Sequence, residues 1–292
     1  MPVTLPIDPF ARKKFRIGLL ITGALLFAYV CVRAWLIPFV HDEAITFFYY
    51  IRSGVMHPYE AHLDANNHLL NSYLSRLFYT WDGDSEIILR IPNVLSFALY
   101  LFANYRIGRH LGGRTGVLFI LTTWFSHILL DYFGFCRGYG LSFAFIAGSC
   151  WTLLEYERRP RRWCFALSCV FIGAAIAANL NVLPAAVAMT GWLAFLALKE
   201  ARYADWKNTV VNLAFILPLV WWIKYLVDYG FHLRENGNLY YGYQNGIWED
   251  IILTVTDGAL PWSAEFLGIL TLLVSAWMIV AHLGHFKNSG AV

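Results

Sequence analysis

The side chains able to do chemistry in this chain crowd into one stretch, from Val40 to Trp81. Asp42 and Glu43 stand side by side shortly after Pro38, and His41, His57, His62, Asp64 and His68 gather around them in sequence. Asn66, Asn67 and Asn71 form an amide-rich cluster about His68. A carboxylate here can serve as a general base that takes the proton of a hydroxyl nucleophile. Amides beside an imidazole suit hydrogen bonding to a sugar, and equally suit the capping of a helix. Asp42 has a plain alternative role as well, because a carboxylate in the first turn of a helix answers exposed N–H groups and the helix dipole. Adjacent residues cannot share one helix face, so Asp42 and Glu43 require different jobs. The histidine spacings match no ligand motif such as His-Glu-x-x-His. They read as solvated loop histidines, and no metal or other cofactor is inferred.

Two arginines beyond the stretch have matching chemistry. Arg90, in Leu-Arg-Ile-Pro-Asn, lies where the chain re-enters an apolar run, and Arg137, in Phe-Cys-Arg-Gly-Tyr-Gly, follows Asp131 at the next polar break. A guanidinium can hold a phosphate through two parallel hydrogen bonds, or reach lipid head groups. Lys224 and Asp228 are spaced to neutralise each other on a helix. Tyr240, Tyr241, Tyr243, Trp248 and Trp262 form either a stacking platform for a sugar ring or ordinary aromatic anchors at a membrane boundary.

The elements that must position these residues are greasy helices. The 292 residues are 59% hydrophobic and only 14% charged, where a soluble domain carries about 25%; the mean hydropathy is +0.52. Apolar runs at about 15–37, 88–108, 115–132, 139–156, 163–180, 184–199, 208–228 and 263–284 have the length that crosses a bilayer. The expectation is an all-α polytopic membrane protein with about eight transmembrane helices in a single membrane-embedded domain, 1–292. The first run is too long for a signal-peptide core and lacks a clear small-residue cleavage site, so it reads as an uncleaved anchor, with Arg33 snorkelling near its end.

With a cytoplasmic N-terminal tail, 1–14, fifteen lysines and arginines fall in inner segments and five in outer ones, as the positive-inside rule requires. The acidic residues fall mostly outside, so the site is expected to face outward from a bacterial inner membrane, plasma membrane or equivalent. Two outer segments are long, 38–87 and 229–262. The first holds two amphipathic patterns, His41–Ser53 and Asn66–Trp81, expected as interfacial helices. In the second pattern Leu70, Leu74, Leu77 and Phe78 make an apolar stripe, with His68, Ser72 and Arg76 on another side. The five cysteines form no disulfide framework or metal spacing, and no basic cluster with interleaved aromatics suggests nucleic acid.

An anchor span followed at once by an outward Asp-Glu, then Asn-Asn-His, Leu-Arg-Ile-Pro and Arg-Gly-Tyr-Gly in this order, resembles the membrane glycosyltransferases of the C-type fold. It is most similar to their protein O-mannosyltransferase-like and aminoarabinose-transferase-like branch, over roughly residues 15–200. The resemblance implies a sugar donor carried on a polyprenyl phosphate and an acceptor hydroxyl on a glycan, lipid or protein at the outer membrane face. It implies Asp42 as general base and Glu43 as a support to the acceptor or the loop. Arg90 and Arg137 would hold the donor phosphate. Asn67, His68, Asp131 and Tyr139 would contact substrate, with Asp131 orienting Arg137. A single in-line displacement would invert the anomeric carbon. Some relatives use a divalent metal and others do not. Asn66-Asn67-His68 stands where many relatives have a His-Pro-Pro-like element. The chain is shorter than most relatives, as a short or truncated member would be. Two other classes stay open: a transporter or flippase of lipid-linked sugar, which would place polar or broken helices at mid-membrane, and a non-catalytic membrane partner on the same scaffold. The sugar and the acceptor are not legible.

Overall fold

The computed structural model describes residues 8–83, 85–202 and 206–238. Among them helix is the only regular secondary structure, and the longest irregular connection covers 53–68. A turn at Pro9–Ala11 leads into α1 (Lys13–Leu36); α2 (His41–Thr46) continues as a wider π-helical turn over Phe47–Arg52. Then follow α3 (Leu69–Asp82), α4 (Glu86–Leu111), α5 (Gly113–Trp124), α6 (His127–Phe133), α7 (Gly138–Arg158), α8 (Arg162–Ala178), α9 (Leu183–Arg202) and α10 (Trp206–Glu235). The expected span at 263–284 and the aromatic residues from Tyr240 to Trp262 lie outside the described residues.

The seven other expected spans all fall on helices, but not all on membrane-length ones. Four helical stretches are long and apolar enough to cross a membrane: Lys13–Leu36, Glu86–Leu111, Leu180–Lys199 and Thr209–Glu235. The run expected at 115–132 is broken: α5 and α6 meet at 54° and would count as a fifth span only as a bent pair. The Phe125–Ser126 break supplies the bend, with α6 restarting at His127. Helix α8 is apolar but has only 17 residues, short of the roughly 20 that span a bilayer core.

Helix α7 explains why a span reading by hydropathy weakens in the middle of a bundle. It packs between α4 and α8 and contributes to two cores. Ala144 and Ala147 join α1, α4, α5 and α6, while Leu153 and Tyr156 join α8, α9 and α10. Enclosed by protein, it carries small and hydroxyl residues, with Ser142, Ser149 and Thr152 all buried. Thr152 bonds Ser168 of α8 through their hydroxyls at 2.6 Å. By contrast α1 is apolar all round and largely uncovered, with Leu20, Leu25, Trp35 and Leu36 exposed, the pattern of a helix solvated by lipid.

The expected helix at Asn66–Trp81 forms as α3, but its faces are reversed from those of a surface helix. His68, Asn71, Ser72 and Ser75 are buried, whereas Leu77 is exposed and Trp81 is 85% exposed. The polar side points into the protein because hydroxyls and amides need partners that an apolar solvent cannot offer. Ser75 donates to the Leu89 carbonyl at 2.8 Å, and Asn71 donates to the Cys136 carbonyl at 3.3 Å. Asn71 also accepts from Asn93 at 2.6 Å, and Asn93 in turn accepts the Leu141 backbone N–H at 3.1 Å. This chain of amides ties α3 to α4 and α4 to α7.

Candidate functional site

Pro38 and the extended residues around it end α1 and turn the chain into α2, so that Asp42 and Glu43 occupy its first turn. The capping role open to Asp42 falls to its neighbour. Glu43 Oε2 accepts the Val40 backbone N–H at 3.1 Å, and Oε1 accepts the Cys136 backbone N–H at 2.5 Å. Glu43 is completely buried and meets Arg90, also completely buried, in a two-point contact. Arg90 Nε donates to Oε1 at 2.9 Å and Nη2 to Oε2 at 2.6 Å. The remaining guanidinium hydrogens go to the carbonyls of Ala34 at 2.8 Å, Ile37 at 2.7 Å and Pro38 at 3.3 Å. Every N–H of Arg90 is thus spent on protein. This corrects the expectation that Arg90 offers its guanidinium to a donor phosphate: it stitches α4 to the end of α1 and the start of α2. Of the two roles open to Glu43, supporting the loop is the one its contacts fill.

A second pair forms between the residue before Glu43 and the residue after Cys136. Arg137 Nη1 lies 2.6 Å from Asp42 Oδ2. Glu43 draws Cys136, 93 residues away, against the first turn of α2, and this brings Arg137, the residue that precedes α7, beside Asp42. The adjacent carboxylates therefore do divide their work, Glu43 facing inward and Asp42 outward. The outer pair is accessible: the Asp42 side chain is 38% exposed and Arg137 21%. Arg137 also donates to Asn66 Oδ1 at 3.2 Å and lies over the Tyr139 ring, 4.9 Å from its centroid. Its Nε is buried with no hydrogen-bond partner.

The remaining expected contacts divide between this pair and other places. His68 packs edge-on against Tyr139 at 5.3 Å, and Tyr139 stacks on Tyr132 at 4.7 Å. Burial, aided by the nearby Arg137 charge, pulls the His68 imidazole down to about 3, so it is neutral at physiological pH. Because the ordinary value is 6.5, unfolded chains bind the proton more readily. Stability contributed by neutral His68 is therefore lost as the pH falls from about 6.5 toward 3. Asn67 donates to the Met56 carbonyl at 3.0 Å, anchoring the loop. Asp131 does not orient Arg137: it pairs with Arg33 at 2.9 Å. Lys224 and Asp228 do meet, at 2.5 Å.

The histidines scatter. His62 stacks on Tyr49 at 4.0 Å, His57 contacts the Pro58 carbonyl at 3.0 Å, and His41 is exposed with its Nδ1 3.5 Å from Asp42 Oδ1. Among the described residues no three His, Cys, Asp or Glu side chains converge as a metal would need. Cys136 is buried against Ser75 and Asn71, and burial pushes its thiol up to about 11, so it stays protonated.

Comparison with family models, with curated proteins and with solved structures found no match to this chain.

Sequence reasoning missed Asn93, whose buried amide links α3 to α7, and the use of the Cys136 backbone by Glu43. The first had a signal, an asparagine following Ile-Pro inside an apolar run, where an amide must find a partner. The second had none, since a backbone N–H leaves no trace in side-chain identity. Gly138 is a further positional device. A Cβ there would overlap the Ala178 carbonyl of α8 and press on His68, so α7 starts this close to α8 only without a side chain. Gly138→Ala is expected to cost about 1–3 kcal/mol, the range for overpacking, and to displace Arg137 from Asp42. A heat-unfolding midpoint equal to that of the unaltered protein would contradict the tight approach.

Proposed function

We propose that this chain is a polyprenyl-phosphate-dependent glycosyltransferase whose site is the Asp42–Arg137 pair, facing outward from the membrane. The observation that carries the reading is the contrast between the two ion pairs. Glu43–Arg90 is sealed and saturated, so neither group has capacity for a ligand. Asp42–Arg137 is partly open, and exposed pairs are worth about 1 kcal/mol or less, so a substrate can take either partner at small cost.

In this reading the donor phosphate engages the Arg137 guanidinium, which frees a carboxylate oxygen of Asp42. The acceptor hydroxyl gives its proton to Asp42 as its oxygen bonds to the anomeric carbon. The bond from that carbon to the phosphate oxygen breaks, and the polyprenyl phosphate leaves with the electron pair. Its charge is stabilised by Arg137. Attack and departure occur on opposite sides of the carbon, so its configuration inverts. Asn66 holds the guanidinium from the side, and Tyr139 lies beneath it. Neutral His68, next to Tyr139, offers hydrogen bonding rather than charge. The resemblance in the order of Asp-Glu, Asn-Asn-His, Leu-Arg-Ile-Pro and Arg-Gly-Tyr-Gly agrees with this division of roles, except that Arg90 is withdrawn from the phosphate. A divalent metal is not assigned.

The test is transfer from a labelled polyprenyl-phosphate sugar in membranes holding the chain, with Arg137→Gln beside it. The variant is expected to raise the donor KM by about tenfold or more, since a charge-assisted pair of hydrogen bonds is lost, and to leave the acceptor KM near its starting value. Loss of acceptor dependence alone would remove the phosphate role from Arg137. No transfer above membranes lacking the chain, over a panel of acceptors, would end the glycosyltransferase reading.

A further inference from the structure

A polar cavity of about 450 Å³ lies at the other end of α4 from Arg90, on the order of 25 Å along the helix by its rise per residue. Arg106, Arg109 and His110 from the end of α4, Glu155 and Arg158 from the end of α7, and Arg159 just beyond it form the walls, with Asp8 contributed by the N-terminal segment. Both carboxylates are already engaged. Glu155 holds Arg106 at 2.6 Å, and Asp8 accepts the Phe10 backbone N–H at 3.1 Å. Arg109, Arg158 and Arg159 have no ion pair among the described residues. Four arginines against two carboxylates leave an excess of two positive charges around one concavity.

Basic residues in a last helical turn can simply answer the helix dipole. That accounts for Arg109 and Arg158 taken singly. It does not account for Arg159, which stands past the end of α7, nor for two helix ends directing their arginines into a shared hollow where the like charges repel. Such an arrangement is stable when an anion sits among them. The aromatic surroundings point to the membrane boundary: Arg106 lies over the Trp151 ring at 5.1 Å, and Trp151 neighbours the exposed Trp163 at 6.5 Å. Tryptophans favour that depth, and basic pockets between helix ends bind anionic head groups.

We propose that this cavity is a phosphate-binding site, separate from the Asp42–Arg137 pair and independent of the glycosyl-transfer reading. The phosphate is either the head group of an anionic lipid or the free anion, and planar guanidinium groups would hold it through paired hydrogen bonds.

The full chain, extracted from vesicles of phosphatidylcholine with a minority of phosphatidylglycerol, is tested by native mass spectrometry for retained lipid. Titration of the lipid-free protein with inorganic phosphate forms the second arm. The unaltered protein is expected to retain phosphatidylglycerol preferentially, and Arg109→Gln/Arg158→Gln/Arg159→Gln to lower that retention by about tenfold or more. Arg159→Gln alone, which leaves both helix ends their basic residues, is expected to lose part of the preference. Retained phosphatidylglycerol that inorganic phosphate does not displace assigns the head group. Saturable phosphate binding without lipid preference, lost in the triple variant, assigns the free anion. Equal lipid retention and equal phosphate binding by the triple variant and the unaltered protein would overturn the site. So would an equal loss on Arg114→Gln, which removes an arginine of α5 outside the cavity and would reduce the effect to general surface charge.

Discussion

Arg90→Met is expected to leave little folded protein. The substitution keeps length and apolar bulk but strands Glu43, a fully buried carboxylate, with only the Val40 and Cys136 backbone donors. It also takes the guanidinium away from the carbonyls of Ala34, Ile37 and Pro38. Breaking one side of a buried pair costs about 3–5 kcal/mol, a large share of the roughly 5–15 kcal/mol that holds a domain together. Arg90→Lys is expected to fare little better, because an ammonium cannot reproduce the planar fork that meets both carboxylate oxygens. The measurement is the monodisperse fraction after detergent extraction together with the heat-unfolding midpoint. Adding Glu43→Gln to Arg90→Met removes the stranded charge and is expected to restore part of the loss, a coupling that a double-mutant cycle reads directly. An Arg90→Met protein with an unshifted midpoint would mean that the pair does not hold α1, α2 and α4 together.

Asp42→Asn is expected to behave in the opposite way, folding normally while lowering transfer by about 10²–10⁴-fold, the usual contribution of a positioned general base. The amide keeps the shape of the carboxylate and can still accept a hydrogen bond from Arg137, but it cannot take the acceptor proton. The fall is expected in kcat, with the donor KM little changed, whereas Arg137→Gln acts mainly on the donor KM. Stability should hardly move, since the pair is partly exposed and such pairs contribute about 1 kcal/mol or less. The two adjacent acidic residues thus separate by experiment: Glu43 through unfolding, Asp42 through turnover. Transfer at the full rate by Asp42→Asn, at equal protein, would leave the Asp42–Arg137 pair a purely structural role.

Much of the architecture is legible in the amino-acid sequence because membrane-length helices are written in local composition. Length and apolarity place α1, α4 and α9 with bounds within three residues of those observed; α10 begins near its expected start but runs on to Glu235, into the expected outer segment 229–262, and the turn between α8 and α9 falls at Leu180–Val182, within the Asn179 to Pro184 stretch that punctuates the two apolar runs. The sequence also singles out Asp42, Glu43, Arg90 and Arg137 and requires that the adjacent carboxylates act differently. Which carboxylate meets which arginine was not legible. That depends on Glu43 reaching a backbone N–H at Cys136 and on Gly138 allowing α7 to touch α8, contacts between segments far apart in the chain. The same holds for α3, where a stripe of serines and asparagines reads as a wet surface until α4 and α7 are seen to cover it. Local sequence determined the helices and the inventory of charged groups, since both follow from side-chain chemistry over a few turns. Tertiary packing alone decided which charges were sealed and which stayed open, because desolvation is a property of what surrounds a group. That difference leaves Arg90 sealed against Glu43 and Arg137 paired with Asp42 where both side chains are still partly exposed.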